Sequence, residues 1–322
     1  MRGPEVVTMG ETMVLLYSSD PAVQLADTRQ LTMDCAGADS NFAIAMTRLG
    51  FRVGWISRVG EDPLGEFVVT AIANEGVDVS QVKRDGRGPT GVFFKYQTPT
   101  SETRVIYYRR ASAASRLGPE DVSAEYFADA SWLHLNGMTC ALSADCARAF
   151  KQAIRLAVAN NVSVSIDLNL RLQLWSVEAA RRVLLPLLSK VSILFGTEDE
   201  FLTLFRVPSL PAALSAAARH GPKTVVAKRG RRGAIALVRE SMISHGGFAP
   251  PEVVDTVGAG DGFNAAFVAS VFRGMNSEQA LRYANLAGAA AATTPGDFQG
   301  YLTWAQLEHY ASSWQERVTA DE

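Results

Sequence analysis

Residues 255–267, DTVGAGDGFNAAF, gather several residue types that can do chemistry. Gly258, Ala259 and Gly260 stand immediately before an acid, Asp261, and an alanine-rich apolar run follows. That run reads as a helix, so the small residues lie at a helix start. The first N–H groups of a helix have no acceptor within it, and the helix dipole adds roughly half a positive charge there. A phosphate fits such a place, and glycines let it approach the backbone with no Cβ in the way. Asp261 would then be positioned to take a proton from a hydroxyl beside the phosphate. The same residues also describe a plain helix start capped by Asp261, and the motif alone does not separate the two. It is not a Walker A loop, because no Gly-Lys-Ser/Thr follows, and no GxGxxG stands at the first strand.

Ligands of open α/β sheets bind beyond the carboxyl ends of strands. Polar and glycine residues gather there in this chain: Gly10-Glu11, GEDPLG (60–65), Asn136, DLNLR (167–171), GTEDE (196–200) and KRGRRG (228–233). KRGRRG reads either as a glycine turn lining a nucleotide or as a surface hairpin with solvated arginines. In TEDEF, Glu198, Asp199 and Glu200 form the acidic first turn of a helix capped by Thr197. A carboxylate beside magnesium is the alternative reading of the same residues.

The elements that must hold these residues alternate. EVVTMG, FRVGWISRVG, SWLHLNG, VSVSIDLN, VSILFG and TVVAKRG are β-rich runs of strand length. SNFAIAMTRLG, ended by Gly50, and PLGEFVVTAIANEG, closed by Gly76, have helical spacing, as do 145–160, 177–189, 261–273, 277–293 and 303–312. This order predicts an α/β fold, with a mostly parallel central sheet and helices on both faces. Residues 12–35 and 91–109 break the rhythm with strands and no helix between them. TGVFFKYQTPTSETRVIYYRR reads as a hairpin around Pro99 to Glu102. A small antiparallel sheet attached to the body is expected, and such an appendage can serve as a lid.

The chain has 322 residues, 48% hydrophobic and 20% charged, an ordinary globular composition that needs no disulfide or metal for its core. A net charge of −2 gives no field for nucleic acid or a membrane surface. Cys35, Cys140 and Cys146 form no CxxC or Cys/His pattern and read as reduced thiols. The four histidines are scattered and read as structural or surface groups. The start lacks a signal-peptide core and no run of 18 apolar residues exists, so a cytoplasmic protein is expected.

Taken together, these stretches resemble the ribokinase-like (PfkB) carbohydrate kinases over nearly the whole chain. Asp255, Thr256, Gly258, Ala259, Gly260 and Asp261 match that family's D-T-x-G-A-G-D signature, and AGADSNFAIAMTRLG followed by VGEDPLG matches its amino-terminal one. Within the family, VIYYRRASAASRLGPEDV, DLNLRLQLW and PGDFQG are most similar to 2-keto-3-deoxygluconate kinases. The resemblance implies one ribokinase-like domain over 1–322, with a β-sheet lid from about 12–37 and 90–110. It implies an ATP-dependent kinase, with Asp261 as the base and the N–H groups of Gly258, Ala259 and Gly260 holding negative charge. Contacts to a sugar acid would fall on Gly37, Asn41, Phe93, Tyr107, Tyr108, Arg109, Arg171, Asp261 and Asp297. ATP would meet Asn169, Arg171, Thr197, Lys228, Gly230, Gly233, Gly258, Gly260 and Asn285. Glu200 would orient Mg2+ through water. A homodimer through the lid, or a higher homo-oligomer, is expected.

Three positions depart from the family pattern. Ala36 replaces the first glycine of a Gly-Gly pair, Phe93 replaces a lid tyrosine, and Thr197 replaces the asparagine of an N-x-x-E motif. They leave open a kinase of a neutral sugar or nucleoside. A non-catalytic sensor of sugar or nucleotide is the reading furthest from the intact Asp261.

Overall fold

The structure is a computed structural model that describes residues 2–18, 25–98 and 103–317. In chain order the strands are β1 (Val6–Met9), β2 (Met13–Tyr17), β3 (Thr32–Ala36), β4 (Val53–Gly60), β5 (Val82–Asp85), β6 (Val92–Gln97), β7 (Thr103–Tyr108), β8 (Trp132–Asn136), β9 (Ser163–Asp167), β10 (Ile193–Thr197), β11 (Thr224–Lys228), β12 (Ala234–Val238) and β13 (Ser241–His245). The α-helices are α1 (Ala38–Arg48), α2 (Pro63–Asn74), α3 (Met138–Leu142), α4 (Ala144–Ala159), α5 (Val177–Leu184), α6 (Glu198–Phe205), α7 (Leu210–Ala218), α8 (Ala259–Phe272), α9 (Ser277–Ala291) and α10 (Trp304–Ser313).

Nine strands form the central sheet in the order β13-β12-β11-β10-β9-β8-β1-β4-β5. From β11 to β5 all neighbours are parallel, and only the β11–β12 and β12–β13 pairings are antiparallel. β1, β4 and β8 are buried along their full length, as a sheet covered on both faces requires. Side chains alternate between two apolar layers. On β10, Phe195 joins Phe42, Trp55 and Phe267 on one face, while its neighbour Leu194 joins Phe150, Ile154 and Phe201 on the other. Each such burial is worth about 1.5–3 kcal/mol.

At the sheet centre, burial pushes the His134 imidazole down to about 3. It is neutral, stacked 3.8 Å over Phe42 and 2.8 Å from Ser165 Oγ. This is the structural role expected of it. All three cysteines are free and buried. Among the described residues, no single helix is long and apolar enough to cross a membrane.

A separate four-stranded sheet, β3-β2-β6-β7, is built from the two stretches that lacked helices. It is not wholly antiparallel as expected. β2–β3 and β6–β7 are hairpins, but β2 and β6 join them in parallel. Sequence reveals a hairpin through its turn, whereas pairing between hairpins is set by where each leaves the body. The hairpin tip at Pro99 to Glu102 lies outside the described residues. Met13, Leu15, Ala36 and Phe93 form a small core beneath this sheet.

Three other local expectations change. Helix 177–189 stops as an α-helix at Leu184 and continues as a 3-10 helix to Lys190, because Pro186 has no N–H to give. The helix expected over 261–273 begins at Ala259. No motif marks β12 and β13; Arg239, at φ 56°, makes the turn between them.

Candidate active site

Gly258 is the N-cap of α8, at φ 76° and ψ −14°. A Cβ there would lie 1.8 Å from the Asp297 carbonyl oxygen. Both the left-handed backbone and the close approach demand glycine. The Tyr301 hydroxyl donates to the Gly258 carbonyl at 2.8 Å and pins the turn from behind. Asp261 is the third residue of α8, so it is not the cap, and no side chain caps this helix start. Ala259 N–H already donates to Thr256 O at 3.4 Å. That corrects the expectation of three free donors. Among the described residues, no backbone acceptor meets the N–H groups of Gly258 and Gly260.

These groups open on a cavity of about 570 Å3 at the carboxyl ends of β9, β10 and β11. Asn169, Arg171, Thr197, Lys228, Gly230, Gly233, Gly258, Gly260 and Asn285 all line it, together with Glu200 and Asp261. So do Gly247, Phe248, Val253 and Arg317, which no motif marked. KRGRRG is both things it could be: a 3-10 turn joining antiparallel β11 and β12, and a wall of the cavity.

Asp261 is partly exposed, and its Oδ2 accepts from Asn41 Nδ2 at 2.9 Å. Burial raises its carboxyl to about 7, Asp167 pushes the same way, and Asn41, Lys228 and Arg171 oppose. Lys228 Nζ lies 2.5 Å from Asp167 Oδ2, and Asn264 Nδ2 donates to that same oxygen at 2.6 Å. Lys228 holds Asp167 below the usual carboxylate range despite its burial.

The DLNLR turn carries two non-glycine residues at positive φ, Asn169 at 36° and Arg171 at 40°. A left-handed residue of this kind costs about 1–2 kcal/mol. Between them, Leu170 N–H donates to Glu200 Oε1 at 2.8 Å. Glu200 Oε2 accepts from Thr197 N–H at 2.8 Å, completing a capping box with the Thr197 hydroxyl. Glu200 thus holds the turn and starts α6. Asn169 is fixed from behind as well: its Nδ2 donates to Asn136 Oδ1, and Asn136 Nδ2 to Asp39 Oδ1, each at 3.1 Å. Burial raises the Asp39 carboxyl to about 8.

Of the residues expected to meet a sugar, Arg171 and Asp261 line that cavity, while Gly37, Asn41, Phe93, Tyr107, Tyr108, Arg109 and Asp297 do not. Asn41 ties α1 to Asp261, and its backbone N–H donates to Gly37 O at 2.7 Å. A Cβ on Gly37 would lie 2.4 Å from the Glu11 carbonyl. Glu11, fully buried, is paired with the Arg109 guanidinium and accepts from Ser112 Oγ at 2.5 Å. Arg109 Nε is buried with no hydrogen-bond partner. Tyr107 packs against Phe93, ring to ring at 5.5 Å, and lies under Arg109, while Tyr108 is 64% exposed. Tyr108 therefore stands on the face of the small sheet opposite Phe93 and Tyr107. Asp297 is buried, which raises its carboxyl to about 6 against the pull of Lys95. Glu11 and Lys95 were not marked by any motif, although Glu11 sits in the Gly10-Glu11 pair at the end of the first strand.

The family described as pfkB family carbohydrate kinase matches residues 4–303. The chain is 34% identical over 314 residues to a 2-dehydro-3-deoxygluconokinase of Bacillus subtilis (strain 168), covering 96% of each. It is 32% identical over 304 residues to a 2-dehydro-3-deoxygalactonokinase of Haloferax volcanii, covering 91% of this chain and 92% of the relative. Among solved structures it is similar to one described as a ribokinase II from E. coli in complex with ATP and Mg2+. The TM-score there is 0.88 at 27% identity, over 96% of this chain and 99% of the other.

Proposed function

The chain belongs to the pfkB family of carbohydrate kinases, and from that premise we propose that it phosphorylates a primary hydroxyl of a 2-keto-3-deoxy sugar acid, 2-keto-3-deoxygluconate foremost. The observation that carries the transfer step is the uncapped start of α8, with a carboxyl of pKa about 7 one turn inside it. Phosphate oxygens of ATP take the free N–H groups of Gly258 and Gly260. The sugar hydroxyl attacks the γ-phosphorus, its proton passes to Asp261 Oδ, and the bond from phosphorus to the β-phosphate oxygen breaks. A preorganised backbone donor of this kind is worth about 3 kcal/mol. A base with a pKa near the working pH combines a large ionised fraction with useful proton affinity.

The rest of the cavity positions ATP. Lys228 stands beside Gly260, and a Cβ on Gly260 would lie 3.3 Å from its Nζ. Arg171, Asn285, Gly230 and Gly233 line the same cavity. Magnesium fits the donors present. Asp167 Oδ1 is buried without a hydrogen-bond partner, and each Glu200 oxygen accepts one N–H and keeps a lone pair. When bound, Mg2+ neutralises charge on the phosphate oxygens. Glu200 would meet it through water.

For the sugar acid, the supporting feature is Arg109. Its buried, unpartnered Nε is a donor awaiting an acceptor, and its planar fork can serve Glu11 and a carboxylate together. Two relatives named as kinases of 2-dehydro-3-deoxy sugar acids support the same class. Phe93 supplies an apolar wall where the family pattern has a hydroxyl. The small sheet acts as a lid on a single domain and excludes water, which would otherwise take the phosphoryl group. Its strand residues Met33, Val105, Ile106 and Tyr108 are exposed large apolar groups, which supports a homodimer formed lid to lid. Three buried, unpaired thiols suit the cytoplasm.

Three outcomes follow. Asp261→Asn keeps the hydrogen-bonding shape but loses the base, so turnover falls ~100- to 10,000-fold, with ATP affinity nearly unchanged. Steady-state kinetics and calorimetry read the two quantities, and full activity would remove Asp261 from the role. In an ADP-coupled panel of sugar acids and neutral sugars, Arg109→Ala damages kcat/KM for the acid far more than for any neutral sugar. Equal losses would argue against a carboxylate contact. Light scattering at micromolar concentration gives a dimer; a monomer there removes the lid interface.

A further inference from the structure

Lys95 rides on β6, a strand of the lid, yet its side chain is only 10% exposed and ends against the body of the protein. Its Nζ lies 2.5 Å from Asp255 Oδ2 and 3.6 Å from Asp297 Oδ1. Asp255 opens the stretch that ends at Asp261. Its Oδ1 accepts Val257 N–H at 3.1 Å and its Oδ2 accepts Gly296 N–H at 3.3 Å. One carboxylate therefore ties together two segments that converge on Gly258, where the Asp297 carbonyl packs against the glycine Cα. These are the segments that hold the free N–H groups and Asp261 in place.

An ammonium this enclosed is stable only beside counter-charge, and the buried carboxylates need it as much. Two acids share one lysine, and the nearby Asp34 adds a third negative group. Lys95 has no positive charge to spare for a sugar carboxylate, so it is a poor substrate ligand. What it does is join two bodies: the lid supplies the cation and the phosphate loop supplies the anions.

We propose that Lys95 couples closure of the lid to the geometry of the phosphate loop. With the lid down, the ammonium neutralises Asp255 and Asp297, and the loop presents Gly258, Gly260 and Asp261 in register. With the lid raised, the two carboxylates lose their shared counter-charge and repel. The loop relaxes, and transfer of the phosphoryl group to water is slow in the open state. Lys95 is a positioning residue that acts through Asp255. The proposal rests on the small sheet being a lid, as read above, and does not depend on which sugar is bound.

The test compares Lys95→Met, Asp255→Asn and the double variant, using whichever sugar the unaltered protein turns over. A misplacement of about 1 Å costs ~100-fold in rate, so Lys95→Met should lower kcat by about that factor while the KM for ATP and sugar barely move. Residues acting as one unit are not additive, so the double variant should be no worse than the more damaged single one. Lys95→Arg, which restores a cation, should recover most of the loss. Additive losses, an unchanged kcat, or a loss confined to the sugar KM would each overturn the proposal. If Lys95→Met has no thermal unfolding transition, Lys95→Gln takes its place in the same cycle. An unaltered protein that releases no sugar-dependent ADP removes the kinase reading and this proposal with it. An active one with an indifferent Lys95 removes only the proposal.

Discussion

The start of α8 is left without a side-chain cap, and much of the site depends on that vacancy. A helix start inside a protein needs partners for its first N–H groups. Here Gly258 adopts a left-handed backbone, backs onto the Asp297 carbonyl and is held by Tyr301, so no side chain can reach in. Two N–H groups and the helix dipole are left pointing at a cavity. Asp261, brought to the same place by helical spacing, gains its raised pKa from partial burial. The anion site and the base are thus consequences of one backbone geometry.

Around that point the fold supplies rigid supports from separate elements. Asn41 reaches Asp261 from α1, Lys228 comes from the end of β11, and Glu200 braces the strained DLNLR turn from α6. Lys228 and Glu200 sit at the carboxyl end of a parallel strand or on the helix that follows one, which is where an α/β sheet concentrates polar groups, whereas Asn41 comes from the helix that follows β3 of the small sheet. The lid contributes differently. It brings charge rather than backbone: Lys95 to the loop, and, just beyond β7, Arg109 to Glu11. Both links cross from the small sheet, or its edge, to the body.

Much of this was legible in the sequence because it depends on local pattern. The six β-rich runs became strands, the helices fell within a few residues of their spacing, and the residues assigned to ATP all line one cavity. Glycines and positive-φ turns leave a mark in sequence because few residues can replace them. What was not legible depends on contacts between distant segments. The parallel junction of β2 and β6 and the Arg109–Glu11 and Lys95–Asp255 pairs have no signature in spacing. A lysine in FFKY reads as a solvated strand residue until the fold places three carboxyl groups near it. Likewise, Tyr107 and Tyr108 read as one unit, but alternation along β7 sends them to different sides of the lid.

The account turns on Asp261 taking a proton while the loop holds the phosphate. The most direct measurement is the single-turnover rate of phosphoryl transfer as a function of pH, with ATP and sugar saturating. Burial raises the Asp261 carboxyl to about 7, and a protonated base cannot act. The rate should therefore be constant at alkaline pH and fall about tenfold per pH unit once the pH drops below that midpoint. A rate that stays flat through neutrality and bends only near the pKa of an ordinary aspartate, about 3.9, would contradict it.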